Sequence, residues 1–327
     1  MLKVKGLHKR FVGERTRLVL KGINFQVNKG QHIFIIGETG SGKSTLLKSI
    51  YGIYTPDKGK IWLENKQLEF GKQLIPGFDT MKLVEQDYNL KKFNTVRSAI
   101  ESRLEVGLTK KSKTEKTNEL LELFELRKLA SRQILEISGG QQQRLALAQA
   151  FSQLPKLLLL DEPFAHLDPQ LKTNIFRYLE KCIREEEVTV LTVTHDYNET
   201  LKHANWVIAM ENGKIAQQGS VRELYNNPVN LYVAGLLGSF TTLELEDSVW
   251  LIRPEYVSIS GKGKYSGVLK SIRFGGGHFE LEVDYKNQVL VGLSLNDTEL
   301  KEGQHVQFNL NLCLRVDPGN KIVSYEG

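Results

Sequence analysis

Eight residues, Gly37-Glu38-Thr39-Gly40-Ser41-Gly42-Lys43-Ser44, follow directly on the apolar run Ile33-Phe34-Ile35-Ile36 and lead into Thr45-Leu46-Leu47-Lys48-Ser49-Ile50. A short unbroken apolar run reads as a parallel strand buried on both faces. The residues beyond the loop are helical material. The stretch therefore commits the chain to a strand, a glycine loop and a helix in an α/β layer. Gly40 and Gly42 let the backbone turn successive N–H groups inward onto anionic oxygens. The helix that follows adds the partial positive charge of its N-terminus. In a loop of this spacing Lys43 is expected to reach the β- and γ-phosphates of a nucleotide, and the Ser44 hydroxyl to ligate Mg²⁺. The same letters arise by chance in roughly one chain of this length per hundred at average composition. The strand in front lowers those odds further.

Leu157-Leu158-Leu159-Leu160 runs into Asp161-Glu162. The leucines bury this strand on both faces, so Asp161 emerges at its C-terminal edge, where α/β sheets bind ligands. Asp161 is placed to hold the Mg²⁺ shell, through water. Glu162, beside the γ-phosphate, is placed to orient or deprotonate an attacking water. Alone, an acidic pair after an apolar run is more often a solvated strand end; with the phosphate loop it reads as functional. A further apolar run, Val188 to Thr194, delivers His195.

Ser138-Gly139-Gly140-Gln141-Gln142, read on through Gln143-Arg144-Leu145-Ala146-Leu147-Ala148, resembles the signature sequence of ABC-type ATPases. The resemblance covers roughly residues 1 to 237. Gln86 matches the family's Q-loop, Leu167-Asp168 its D-loop and Thr194-His195-Asp196 its H-loop, while Phe11 matches the aromatic that stacks on adenine. The resemblance implies an α/β P-loop NTPase cassette: a RecA-like core with an antiparallel β part and a helical subdomain at about 87–137. It implies that Glu162, His195, Lys43 and Gln86 act in ATP hydrolysis, and that Ser44, Gln86 and Asp161 surround Mg²⁺. Nucleotide contacts are implied for Phe11, Gly37, Glu38, Thr39, Gly40, Ser41, Gly42, Lys43, Ser44, Thr45, Ser138, Gly139, Gly140, Gln141 and Asp168. Proteins of this family sandwich two ATP between two cassettes. The residues agree: Ser138 to Gln141 open a Gln-, Leu- and Ala-rich helix whose N–H groups form a second anion-binding end. One chain has no obvious use for two phosphate cradles around one nucleotide, and two chains do.

Beyond about residue 238 the texture becomes β. Phe279, Leu281, Val283 and Tyr285 alternate, as do Val289, Val291 and Leu293, then Val306, Phe308 and Leu310; Gly275-Gly276-Gly277, Asn296-Asp297 and Glu302-Gly303 punctuate them. Short alternating strands between regular turns predict a small all-β barrel or sandwich at 238–327. Ile252-Arg253-Pro254-Glu255 resembles the opening of the oligosaccharide-binding-like (TOBE-like) accessory domain of some importer ATPases. The exit segment from Gly213 to Gly238 resembles the same branch, which includes iron, polyamine, sulfate and sugar systems. In the first 237 residues, Ile23, Phe25 and Val27 alternate before the Asn28-Lys29-Gly30 turn, Leu120, Leu121, Phe124 and Leu129 form a helical stripe, and Glu211-Asn212-Gly213 reads as a hairpin turn.

At 327 residues the chain is long enough for two domains. It has no stretch of about 18 apolar residues, and Met1 to Phe11 lacks the apolar core of a signal peptide. Its two cysteines, Cys182 and Cys313, fall in different domains without ligand spacing and read as free thiols. The net charge of +6 is modest and reads as that of a generally basic soluble protein. The Lys110 to Lys116 cluster reads as a solvated face. Four positions depart from the importer branch: Ile137, Gln149, Ala165 and Val221. None removes a group that contacts phosphate, metal or water. The expected protein is thus the ATP-hydrolysing subunit of an importer, peripheral on the cytoplasmic face of the membrane. Its expected partners are a second copy of itself, two membrane-spanning permease subunits and, indirectly, an extracytoplasmic solute-binding protein, with no nucleic acid. The alternatives are a soluble ABC ATPase acting on ribosomes or DNA and an exporter subunit. The first usually carries two cassettes or long coiled coils, and the β-rich tail disfavours both.

Overall fold

Burial on both faces sets the middle of the molecule. The computed structural model describes every residue except 13–16, 72–75, 86–89, 91, 106, 166, 261, 296–299 and 327, in two compact units, Met1–Val221 and Arg222–Gly327.

In the first unit, β1 (Leu2–Phe11) and β2 (Arg17–Val27) pair antiparallel, with Leu2 opposite Val27 and Val4 opposite Phe25. Ile23, Phe25 and Val27 form the buried face of β2, as their alternation predicts. β3 (His32–Ile36) is buried at all five positions. It leads through the glycine loop to α1 (Lys43–Tyr51), which Gly52 ends at φ 96° by returning its N–H to the Lys48 carbonyl. β4 (Lys58–Leu63) and β5 (Lys66–Gln67) complete an antiparallel sheet in the order β2-β1-β4-β5. β6 (Met81–Val84) then enters a second sheet.

The helical stretch comprises α2 (Val96–Glu101), α3 (Lys110–Leu123), 3₁₀ turns at Arg127–Leu129 and Ile134–Glu136, and α4 (Gly139–Ser152). Leu120, Leu121 and Phe124 are buried, as the stripe predicts, but Leu126 completes it and Leu129 is only half-buried. The helix stops at Leu123 and Glu125 takes φ 53°, which breaks the 3.6-residue phase that placed Leu129. Gln149 donates to the Ala99 carbonyl at 2.9 Å, tying α4 to α2.

The chain continues through β7 (Leu157–Asp161), α5 (Pro169–Glu186), β8 (Thr189–Val193), α6 (Tyr197–His203), β9 (Trp206–Glu211) and β10 (Lys214–Gly219). The central sheet runs β10-β9-β3-β8-β7-β6. All its pairs are parallel except β9 with β10, which turn through Asn212 and Gly213 at φ 49° and 80°, as a two-residue hairpin requires. All five residues of β7 and of β8 are buried. Each such leucine or valine contributes roughly 1.5–3 kcal/mol. α5 covers the sheet with Leu171, Ile175, Phe176, Leu179 and Cys182.

The second unit takes in most of α7 (Val221–Asn226), then α8 (Leu231–Leu236). The strands are β11 (Thr241–Leu245), β12 (Ser248–Ile252), β13 (Val257–Ser260), β14 (Tyr265–Phe274), β15 (Phe279–Tyr285), β16 (Gln288–Ser294), β17 (His305–Leu310), β18 (Cys313–Val316) and β19 (Ile322–Glu326). They form two antiparallel sheets, β11-β12-β18-β19 and β13-β17-β14-β15-β16, around Leu243, Leu269, Leu281, Val283 and Phe308. This is the all-β, barrel-like architecture expected for the tail. On β16 the alternating residues Val289, Val291 and Leu293 are not the buried face: Leu290 is fully buried and Val289 is 56% exposed. Gly292 lies close against Val257. The Asn296-Asp297 turn lies outside the described residues. Cys182 and Cys313 are buried free thiols.

The compact units part at 221/222, ahead of the sequence boundary at 237/238, and the difference is α7 and α8. Arg253, 2% exposed, holds these helices in the second unit. Its guanidinium donates to the carbonyls of Tyr225, Ala234 and Ser239 at 3.3, 3.2 and 3.4 Å and lies 3.8 Å over the Tyr225 ring.

Candidate nucleotide-binding and hydrolytic site

β3, β8 and β7 are neighbours in the central sheet, and each delivers its next residues to the same carboxyl-end rim. β3 contributes the glycine loop, β7 contributes Asp161 and Glu162, and β8 contributes Thr194 and His195. The loop fits tightly. Gly37 stands at φ 152° where a Cβ would collide with the Met210 carbonyl oxygen, and Gly42 at φ 105° has Leu20 and Val19 3.2 and 3.3 Å from where one would lie. Both positions require glycine. Lys43 folds back over the loop, its Nζ donating to the carbonyls of Gly37 at 2.7 Å and Glu38 at 2.9 Å. Burial lowers its pKa, and the charges of Glu162, Asp161 and Glu38 oppose that shift. Ser41 Oγ is buried with no hydrogen-bond partner among the described residues. Glu38, Thr39 and Gly40 are exposed and Thr45 is half-buried.

Ser44 Oγ donates to Asp161 Oδ1 at 2.9 Å. Asp161 is 6% exposed; burial pushes its carboxyl up, while the Ser44 hydrogen bond and the Lys48 charge pull it down. Lys48, one turn along α1, pairs with Glu85 at 2.9 Å, and that hydrogen bond raises its pKa. These two residues belong to the rim's electrostatics and no motif marked them. Their only signal in the sequence was position, one helical turn after Ser44 and one residue before Gln86. Gln86 itself lies outside the described residues. Arg17 was also missed, and its guanidinium lies 3.9 Å from where a Cβ on Gly40 would stand.

Glu162 takes φ 49°, a left-handed conformation rare outside glycine that costs of order 1–2 kcal/mol. Its N–H donates to the Val193 carbonyl at 3.0 Å, pinning the end of β7 to the end of β8. The carboxylate Oε2 then lies 3.4 Å from His195 Nδ1, with the Glu162 side chain 30% exposed and the imidazole 68% exposed. A carboxylate held half-desolvated beside an imidazole and a buried lysine is an arrangement for moving a proton off water.

The other sequence candidates stand apart from this pair. Phe11 ends β1, its ring edge-on to Tyr54 with centroids 5.0 Å apart. Asp168 caps α5, its Oδ1 accepting the Leu171 N–H at 2.9 Å. Ser138 caps α4 in a reciprocal box, in which Ser138 N–H donates to Gln141 Oε1 at 2.9 Å and Gln141 N–H to Ser138 Oγ at 3.4 Å. Gly139 and Gly140 face open space. The Ser138 cluster opens a helix of the helical stretch, not the end of a central strand. It is a separate helix N-terminus, capped by its own Ser138 and Gln141 side chains.

The chain is similar to known proteins over most of its length. The family model described as ABC transporter matches residues 20–165. A probable sulfate/thiosulfate import ATP-binding protein of Chlorella vulgaris is 38% identical over 239 residues, covering 72% of this chain and 98% of that protein. The spermidine/putrescine import ATP-binding protein of Bacillus cereus is 31% identical over 290 residues, covering 86% of this chain and 87% of that protein. Among solved structures, a dimeric ATP-binding cassette in a post-hydrolysis state with ADP and phosphate superposes with a TM-score of 0.60 at 28% identity, covering 68% of this chain and 99% of that one.

Proposed function

This chain belongs to the ABC transporter family of ATP-binding, ATP-hydrolysing subunits, and we propose that within it the protein powers solute import as an ATP-dependent homodimer beneath two membrane-spanning subunits. An extracytoplasmic solute-binding protein would deliver the cargo to those subunits. Relatives named for sulfate and for polyamine import match at comparable identity, which fits a motor whose cargo is chosen by its partners. Among the described residues no helix is long and apolar enough to cross a membrane, and a peripheral place on the cytoplasmic face accords with that.

The observation that carries the reading is Glu162 Oε2 at 3.4 Å from His195 Nδ1, on the rim that holds Lys43. Lys43 exchanges two carbonyl partners for the β- and γ-phosphates, with the loop N–H groups around them. Glu162 orients the attacking water and takes its proton, while His195 faces both the carboxylate and the transferred phosphoryl group. Ser44 Oγ, 2.9 Å from Asp161 Oδ1, is an oxygen donor of the kind Mg²⁺ takes, and Asp161 would hold the metal's shell through water, leaving the other positions to phosphate and water. Bound there, Mg²⁺ would neutralise phosphate charge. Ser138, Gly139, Gly140 and Gln141 of one chain would close on the γ-phosphate held by the other.

Glu162→Gln tests this. Gln keeps the shape but cannot take a proton at neutral pH, so turnover should fall at least about 100-fold with MgATP still bound. ATP should then persist between Lys43 of one chain and Ser138 of the other. Light scattering after size exclusion should find an MgATP-dependent dimer, and adding Ser138→Arg should abolish it. Turnover at the parent rate in Glu162→Gln would remove Glu162 from the role of base.

A further inference from the structure

Behind the rim lies an ion pair with a buried carboxylate. Glu199, on α6, is 7% exposed, and a carboxylate that deep needs partners. Lys172 Nζ on α5 donates to it at 2.7 Å and Thr194 Oγ1 at 3.1 Å. Thr194 is buried too, and its hydroxyl oxygen accepts the Asp196 N–H at 3.0 Å. Asp196 Oδ1 accepts the N–H groups of Asn198 and Glu199 at 2.8 and 3.3 Å, capping α6, while its Oδ2 lies 3.8 Å from Lys172. His195 stands between Thr194 and Asp196 with its own side chain 68% exposed. Packing does little to aim that ring, so its braced neighbours must. On the far side, Lys172 follows Asp168 by one helical turn, its N–H donating to the Asp168 carbonyl at 3.0 Å.

We propose that Lys172 and Glu199 are positioning residues for ATP hydrolysis, holding His195 against Glu162 through the Thr194 hydroxyl and joining that geometry to the turn at Asp168. The proposal rests on the reading of Glu162 and His195 as the hydrolytic pair. A pair that merely fastened α5 to α6 would change stability and leave the chemistry of the folded molecule untouched. A positioning pair acts on kcat, and only while His195 is present to be aimed.

The test is steady-state MgATP hydrolysis and thermal melting of the full-length chain carrying Glu199→Gln, Lys172→Met or Lys172→Arg, each with native His195 and with His195→Ala. Glu199→Gln and Lys172→Met should lower kcat about 10- to 100-fold with KM for MgATP within about twofold, the pattern of a displaced catalytic group. Lys172→Arg should recover most of the Lys172→Met loss. In the His195→Ala background the same substitutions should cost less than about twofold, because residues that act as a unit are not additive. An equal fold-loss in both backgrounds, or full kcat in folded Glu199→Gln, overturns the proposal. Should Glu199→Gln fail to fold, Thr194→Val cuts only the hydroxyl link and carries the same expectation and the same failure. Full activity of His195→Ala would overturn the reading of the hydrolytic pair and this proposal with it. Loss in His195→Ala beside fully active Glu199→Gln overturns the proposal alone.

Discussion

Lys43 is held by two carbonyls of its own loop, so phosphate binding replaces weak neutral acceptors with charged ones. Lys43→Ala should therefore weaken ATP binding by about 10- to 100-fold, the worth of one or two charge-assisted hydrogen bonds, and titration calorimetry would read it directly. Unchanged affinity would remove Lys43 from the phosphate contacts. Asp161 gives the opposite kind of test. Its carboxyl is raised above 3.8, chiefly by burial, so the folded state binds that proton more tightly than the unfolded one. Its contribution to stability is present at low pH, is lost as pH rises from 3.8 through the raised folded value, and is a penalty at neutrality. Asp161→Asn should thus melt higher than the parent at pH 7 without nucleotide, while losing at least about 100-fold in MgATP turnover; a lower melting point would contradict the burial argument. The rim was legible from sequence because the glycine loop and the Leu-Leu-Leu-Leu-Asp-Glu run tie spacing to chemistry. Lys48, Glu85, Lys172 and Glu199 were not, because a charged residue outside a motif is usually solvated and only the fold reveals which ones pair beside the rim.

At the scale of elements, the strands buried on both faces announced themselves as apolar runs, and β3, β7 and β8 lie where those runs are. The places that differed had weaker specification. Val289-Leu290-Val291-Gly292-Leu293 offers apolar residues to both faces, so alternation cannot choose the inner one; Gly292 chose it by letting β16 approach Val257. The helical stripe slipped from Leu129 to Leu126 at the left-handed Glu125, a helix stop written without glycine. Helix caps are a second load on motif residues. Asp168 accepts the Leu171 N–H at 2.9 Å, so Asp168→Ala should cost the cassette about 1 kcal/mol. Asp168→Asn, which keeps an acceptor, should stay within about 0.5 kcal/mol of the parent. Urea unfolding of both would separate the cap from any nucleotide contact: a loss of ATPase activity in Asp168→Asn without a loss of stability belongs to the chemistry. Equal destabilisation by both substitutions would mean the cap is not what stabilises α5.

At the scale of the whole molecule, sequence and packing divide the chain at different places, on either side of α7 and α8. Sequence texture assigns them to the cassette, ending it at 237. Packing groups them with the β-rich tail, where Ala234 lies against Leu251, Leu314 and Val316 and Arg253 donates to one carbonyl of each helix, Tyr225 and Ala234, and to Ser239 just beyond α8. A guanidinium buried this way depends on those carbonyls, and they on it, since a buried charge or carbonyl left unpaired costs several kcal/mol. Every nucleotide motif lies upstream of residue 200, so chains ending at 221 and at 240 should bind ATP with affinities within about threefold of the full chain, a difference of less than 1 kcal/mol. They should differ in one respect. In the 1–240 chain the segment after 221 has lost Arg253 and the tail strands, leaving Leu231 and Ala234 without Leu251, Leu314 and Val316, against which they pack in the full chain. Limited proteolysis should trim it back towards 221, while the full chain resists there. If the 1–221 chain cannot bind ATP and the 1–240 chain can, and the latter resists trimming, α7 and α8 are part of the cassette fold and the boundary belongs at 237.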